Sequence, residues 1–175
     1  MADLSTKQFI QVFFIEQLES MVKSYPYHSF ISMAAGIEFL GKVLSNRNDL
    51  HEAKHSREDF EAAINSLNAF AIYRQFSGKD KYNFYSSFRC GLLHTVTPMY
   101  GITLSSKDEE AHLVESGNRL NLRCEDFYKD FKSACIEVIG RGDSGLMTNN
   151  FKEKYFSVPD DGNPRHVLTS GSTRS

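Results

Sequence analysis

Apolar residues near the amino end recur at helical spacing: Phe9, Ile10, Phe13, Phe14, Leu18, Met21 and Val22 follow a 3.6-residue period. Ser5, with Gln8 three residues on, has the form of a capping box and predicts a helix over about 6–24. Pro26 disfavours helix at the residue before it, so Tyr25-Pro26-Tyr27 ends that element. A second helix is predicted over about 27–44. Its centre, from Ile31 to Gly41, is apolar almost all round, which predicts burial on most faces. Glu38 is the exception inside that run; a carboxylate there needs a partner or an edge position. Residues 45–55 are polar and irregular. Ser56 with Asp59 reads as the next N-cap, and a third helix carries Phe60, Ala63, Ile64, Leu67, Phe70, Ala71 and Phe76 until Gly78 closes it. A fourth helix spans about 81–95. These phases place Phe13, Phe14, Ile37, Leu40, Phe60, Leu67, Phe70, Phe88 and Leu92 in the core.

After Pro98 the period changes. Residues 100–105, 111–115 and 119–123 read as three short strands, the last alternating cleanly and preceded by a Ser116-Gly117-Asn118 turn. A fifth helix over about 125–139 puts Phe127, Phe131, Cys135 and Val138 on one face and stops at Gly140. The predicted fold is therefore mainly α. It is an up-and-down helical bundle of four main helices plus a C-terminal helix, with a small antiparallel β meander between helices 4 and 5. The domain covers 1–141, with the β insert at about 99–123, and 142–175 is expected to be a flexible C-terminal tail.

Composition narrows the function classes. The chain has 175 residues, enough for one domain with a full core, and 41% hydrophobic residues. A net charge of −2 gives no broad basic footprint for nonspecific nucleic-acid binding. Cys90, Cys124 and Cys135 have no paired spacing and read as reduced thiols. No apolar run approaches the ~20 residues of a membrane span and the amino end has no apolar signal core, so a cytoplasmic location is expected.

Three motifs carry candidate chemistry. His51-Glu52-Ala53-Lys54-His55 matches H-E-x-x-H, but polar flanks leave no apolar stripe to bury a zinc-binding helix, so an exposed connection is expected. The run from Gly36 to Val43 nearly matches a phosphate loop. It lacks the hydroxyl at Val43 and the preceding strand, and close helix packing explains both glycines. Neither motif implies a metal or a cofactor. The third is Arg89-Cys90-Gly91-Leu92-Leu93-His94. An arginine and a histidine inside an apolar helix combine a planar cation for phosphate oxygens with a group that moves protons near neutral pH. On an ideal α-helix, five residues turn about 500°, leaving the two side chains roughly 140° apart. They converge only if the helix loosens. Arg74, Lys79, Lys81 and Arg89 against Asp80 add a local positive surplus. Glu38 is the candidate partner for Arg89, its carboxylate meeting the guanidinium fork with both oxygens.

The segment from Arg89 to His94 resembles the R-x-x-x-x-H motif of HEPN domains, helical bundles found in many prokaryotic ribonucleases and toxins. The placement of the motif on a fourth helix, followed by short strands and a helix beginning Cys124-Glu125-Asp126-Phe127, extends the resemblance over about 4–141. The resemblance implies a metal-independent endoribonuclease with Arg89 and His94 catalytic and RNA as substrate; Glu38 and Cys90 are expected as supporting residues beside them. It also implies a homodimer with the two motifs facing across a cleft. The family usually carries Asn, Asp or His after the arginine, where this chain has Cys90. The alternative is a catalytically inactive interaction or nucleotide-binding module, of toxin–antitoxin or defence type, with an antitoxin or other neighbouring-gene partner.

Overall fold

The computed structural model describes residues 2–45, 47, 49–77, 82–107, 109–146, 151 and 154–159. It is mainly helical, with two small sheets. Strand β1 (Ala2–Ser5) leads into α1 (Thr6–Phe9), a π-helical segment (Ile10–Gln17) and α2 (Leu18–Ser24). Helix α3 is Pro26–Leu44 and α4 is Ser56–Ser66, followed by a 3₁₀ segment, Asn68–Phe76. The motif helix, Tyr85–Thr95, is π-helical. Strands β2 (Ile102–Ser105), β3 (Glu115–Ser116) and β4 (Arg119–Arg123) precede α5 (Cys124–Asp143), and β5 (Lys154–Val158) ends the described chain.

The capping box forms as expected: Gln8 N–H donates to Ser5 Oγ at 3.2 Å, and Ser5 N–H donates to Gln8 Oε1 at 2.9 Å. The winding that follows differs from the expected α-helix. A π-helix bonds residue i to i+5, so residues five apart stack. Ile10 and Ile15 therefore share the inward face, and α2 continues it through Leu18 and Val22. Phe13 and Phe14, expected in the core, are only half-buried. They join a flanking aromatic cluster, with Phe9 4.7 Å from Phe13 and Phe14 5.6 Å from Phe131, ring centre to ring centre. The other expected core residues, Ile37, Leu40, Phe60, Leu67, Phe70, Phe88 and Leu92, are buried.

Helix α3 starts at Pro26, whose fixed φ suits a first helical position. It packs on α2, α4, α5 and the motif helix. The near-match to a phosphate loop lies inside this continuous helix. A Cβ at Gly41 would sit 1.7 Å from the Asp59 carbonyl oxygen, so the glycine exists to let α3 touch the α4 backbone. A Cβ at Gly36 would sit 2.5 Å from the Phe131 ring.

The expected third helix is two elements. Leu67 is extended (φ −90°, ψ 132°) between α4 and the 3₁₀ segment. Distant side chains satisfy the backbone groups this break frees: Glu137 accepts from Asn68 N–H at 2.9 Å, Arg141 donates to the Ser66 carbonyl at 2.7 Å and Arg74 donates to the Leu67 carbonyl at 3.0 Å. Ser56 does not cap α4 as expected; it is the first helical residue, and its hydroxyl donates to the Ala53 carbonyl. Gly78 and Lys81, assigned to the end of helix 3 and the start of helix 4, lie outside the described residues.

The second sheet is not the antiparallel meander the alternation suggested. Its order is β2-β4-β3, with β2 parallel to β4 and β3 antiparallel to it. Parallel neighbours need a long crossover, and the stretch 106–118 supplies it. Buried Asn121 holds that crossover: its amide donates to Ser105 Oγ at 2.7 Å and to the Glu110 and Ala111 carbonyls. Most of the predicted strand over 111–115 is therefore loop.

Helix α5 runs through Gly140 to Asp143 and then meets Phe151, whose ring lies where a Gly142 Cβ would be. Part of the expected flexible tail is thus ordered: β5 pairs antiparallel with β1, setting Leu4 opposite Phe156, both buried. Residues 160–175 of that expected tail lie outside the described residues. Among the described residues, no helix is long and apolar enough to cross a membrane.

The two kinds of helical glycine separate cleanly by substitution. Gly41→Ala drives a methyl into α4 and should cost at least the ~1–3 kcal/mol of overpacking. Gly140→Ala, with nothing within 4 Å of its Cβ position, should gain ~0.5–1 kcal/mol. Urea denaturation midpoints moving in opposite directions are the expected readout.

Candidate functional site

The site forms where α3 and the motif helix cross. Glu38 meets Arg89 and Tyr27 meets Val96, so the two elements run in opposite directions. Glu38 is flanked on α3 by Ile37 and Leu40, both fully buried, and its own side chain is 9% exposed. An isolated charge there would be costly. Arg89 resolves this: its Nε donates to Glu38 Oε2 at 2.7 Å, and its Nη2 contacts the same oxygen. The fork does not span both carboxylate oxygens as expected. Lys42, one turn further along α3, occupies Oε1 at 3.4 Å with its side chain 11% exposed. Its i,i+4 spacing from Glu38 is visible in the sequence, yet only the buried pair makes Lys42 part of the site. Together Lys42, Arg89 and Glu38 carry one net positive charge in a nearly closed setting.

Arg89 and His94 do converge. Arg89 Nη1 is 3.3 Å from His94 Nε2. The π winding of Tyr85–Thr95 brings them together, because it stacks residue i+5 near residue i where an α-helix would splay them. A guanidinium only donates, so Nε2 is the accepting nitrogen and the proton of the neutral ring sits on Nδ1. His94 is exposed, whereas Arg89 is mostly buried. The winding ends at Val96, in the left-handed region at φ 63°. Gly91 admits the return of the chain: a Cβ there would lie 2.6 Å from the Thr97 carbonyl oxygen.

Other side chains fix the arginine. Its guanidinium lies 5.6 Å from the centre of the Tyr85 ring, and Arg57 lies 5.3 Å from the same ring. Burial opposes the charge on Arg89, but the Glu38 carboxylate more than compensates and holds its pKa above the ordinary value. Burial, followed by contact with Cys90, pushes the Tyr85 phenol up to about 12. Cys90 is half-buried, with Sγ 3.9 Å from Arg89 Nη1. The arrangement offers a basic nitrogen to a ligand in solvent, beside a cation whose position is set from behind.

The remaining candidates do not join it. His51 and His55 lie in the turn-rich connection before α4 and not on a helix, with His51 exposed and stacked edge-on near Phe156. Among the described residues, no group of three or more His, Cys, Asp or Glu could hold a metal ion. Arg74 is spent on the Ile64 and Leu67 carbonyls.

A second polar cluster escaped sequence reasoning. His112 Nδ1 accepts from Arg123 N–H at 3.0 Å, which leaves its proton on Nε2. That nitrogen meets Tyr73 Oη at 2.8 Å, and the Tyr73 hydroxyl donates to Asp130 Oδ2 at 2.7 Å. The three residues come from the crossover, the 3₁₀ segment and α5, so no local spacing announces them. Burial pulls the His112 pKa below its ordinary value against the opposing pull of Asp126 and Asp130, and raises that of Tyr73. The cluster fastens the 106–118 crossover to the helices. A neutral His112 is needed to keep the Nδ1 acceptor.

Glu38→Ala strands Arg89 in the helix crossing and should cost ~3–5 kcal/mol in denaturant unfolding, whereas His94→Ala, at an exposed position, should leave the midpoint close to wild type. The His112 shift sets a pH window. Because the folded pKa is depressed, its contribution is complete above the unfolded value of about 6.5 and is lost as pH falls through the lower folded value. Thermal unfolding followed from pH 7 to pH 5 should therefore show a fall in Tm that His112→Gln, which does not titrate, makes shallower.

Compared with protein-family models, curated proteins and solved structures, the chain matches none of them.

Proposed function

We propose that this protein is a metal-independent endoribonuclease of HEPN type, built as an up-and-down bundle and acting on RNA through Arg89 and His94. The observation that carries the reading is the 3.3 Å contact between Arg89 Nη1 and His94 Nε2 on an unusually wound helix, with the histidine open to solvent. A proton acceptor and a phosphate-binding cation side by side form the minimum kit for 2′-hydroxyl attack on a phosphodiester.

In this reaction Arg89 Nη1 releases Nε2 to the substrate, and Nε2 takes the proton from the ribose 2′-hydroxyl. The 2′-oxygen attacks phosphorus, and the bond to the 5′-oxygen breaks. The guanidinium balances the charge that develops on the phosphate oxygens. The leaving 5′-oxygen collects a proton from the imidazolium form of a second His94, supplied when two copies face each other across a cleft. The products are a 2′,3′-cyclic phosphate and a 5′-hydroxyl. Neither Glu38 nor Lys42 touches substrate in this scheme; they hold Arg89 and set the site's charge. The second reading is a non-catalytic interaction module. It is favoured by the saturation of Arg89, whose Nε and Nη2 are both committed to Glu38, and by Cys90 beside it.

Incubation of the pure protein with labelled RNA in EDTA separates the two. The ribonuclease reading expects cleavage to 2′,3′-cyclic phosphate ends and a loss of ~10²–10⁴-fold in His94→Ala. DNA of the same sequence, lacking the 2′-hydroxyl, should remain intact. Absence of cleavage by wild type across diverse RNAs supports the interaction module.

A further inference from the structure

Among the large hydrophobic side chains exposed on the described residues, Tyr25, Tyr27, Val96 and Tyr100 belong to two adjoining segments. Val96 and Tyr100 lie in the connection that leaves the motif helix. Tyr25 and Tyr27 lie at the start of α3. The Tyr27 hydroxyl donates to the Val96 carbonyl at 2.7 Å, which ties the two segments together two residues beyond His94. His28, also exposed, stands edge-on to Tyr25 at 6.3 Å. Tyr25 and Tyr100 are the most exposed of these tyrosines, and Tyr27 is 39% exposed.

Helix geometry relates this patch to Arg89. Tyr27 and Glu38 are three turns apart on α3, so they share a face and are about 16 Å apart along the axis. Ile31, half-buried, and Ala35, exposed and small, lie between them along the helix. The motif helix runs antiparallel beside that face, with Arg89 at the Glu38 end and Val96 at the Tyr27 end. His94 falls between the two ends. Exposed aromatic rings therefore lie beside the segment that carries His94, within reach of a nucleotide whose phosphate sits at Arg89 and His94.

Resting on the ribonuclease reading, we infer that Tyr27, flanked by Tyr25, is a base-stacking subsite for the nucleotide adjoining the scissile phosphate. Bases suit these rings better than an apolar protein surface does. The rings are tyrosines with polar tips rather than aliphatic side chains, and they adjoin the place where the mostly buried Arg89 meets exposed His94. A net charge of −2 also leaves little general attraction for a polyanion, so affinity has to come from contacts such as stacking. Stacking needs a base whose face is free, and that makes the subsite selective for an unpaired nucleotide.

The test uses the full-length chain with His94→Ala, so that a short labelled RNA is bound but not consumed. Adding Tyr27→Leu should weaken binding about tenfold or more, and Tyr27→Phe, which keeps the ring and removes the hydroxyl, should restore it. An abasic riboside next to the cleavage position should weaken the Tyr27 protein by a similar factor and add nothing to Tyr27→Leu, because both remove the same contact. Equal losses in Tyr27→Leu and Tyr27→Phe, or an abasic penalty that persists in Tyr27→Leu, would overturn the subsite while leaving the ribonuclease reading in place. A change of oligomeric state in Tyr25→Ala or Tyr27→Leu with RNA affinity unaltered would identify the patch as a contact between copies instead, and equally overturn it. Failure of wild type to cleave any RNA sinks the ribonuclease reading itself, and the subsite with it.

Discussion

The ion pair between Glu38 and Arg89 is the constraint around which the helical part of the molecule is arranged. Each partner sits in a segment that is otherwise core, and neither tolerates being there alone. Their meeting ties α3 to the motif helix, and with the Tyr27 to Val96 bond it sets the direction in which the two run. Lys42 completes the arrangement by occupying the second carboxylate oxygen. Without it, one lone-pair edge of Glu38 would face a nearly dry environment, and the guanidinium would be drawn toward two oxygens at once. With it, Arg89 presents Nη1 outward in a single orientation.

Winding is the second constraint, and it appears twice. Both π-helical segments put residues five apart on one side: Ile10 with Ile15 in the core, mostly buried Arg89 with exposed His94 at the site. The same distortion thus serves packing in one element and juxtaposes functional groups in the other. In the motif helix the tighter environment pins it. Gly91 accepts the Thr97 carbonyl at close range, Met99 N–H donates to the Ser87 carbonyl at 2.8 Å, and Tyr27 reaches across to Val96. The helix is held at its far end by its own returning chain as well as by α3.

Much of this was legible in the sequence, for a reason that also explains what was not. The helices of the core announce themselves by period, and the Glu38–Arg89 pair by the cost of leaving either charge unpaired in an apolar run. The π winding was invisible because in a phenylalanine-rich stretch the i,i+4 and i,i+5 patterns overlap, so the period placed Phe13 and Phe14 in the core and passed over Ile15. The parallel pairing of β2 with β4 depends on one side chain, Asn121, tying down carbonyls in the crossover, and no alternation encodes that. The His112, Tyr73 and Asp130 cluster draws its members from three separate elements. Strand β5 was read as tail because the strand it pairs with, β1, lies at the far end of the sequence.

That last pairing governs when the molecule can be finished. A ribosome releases β1 first and β5 near the end of the described chain. Until β5 is made, the edge of β1 lacks the strand it pairs with, and Phe9 lacks Phe156, whose ring centre ends 4.5 Å from its own. An unpaired strand edge beside exposed phenylalanines is the kind of surface that associates with neighbouring chains. The helices gather locally and early, as contacts of low sequence separation do. The pairing of β1 with β5 joins strands far apart in the sequence, so it is expected to form after the helices have gathered.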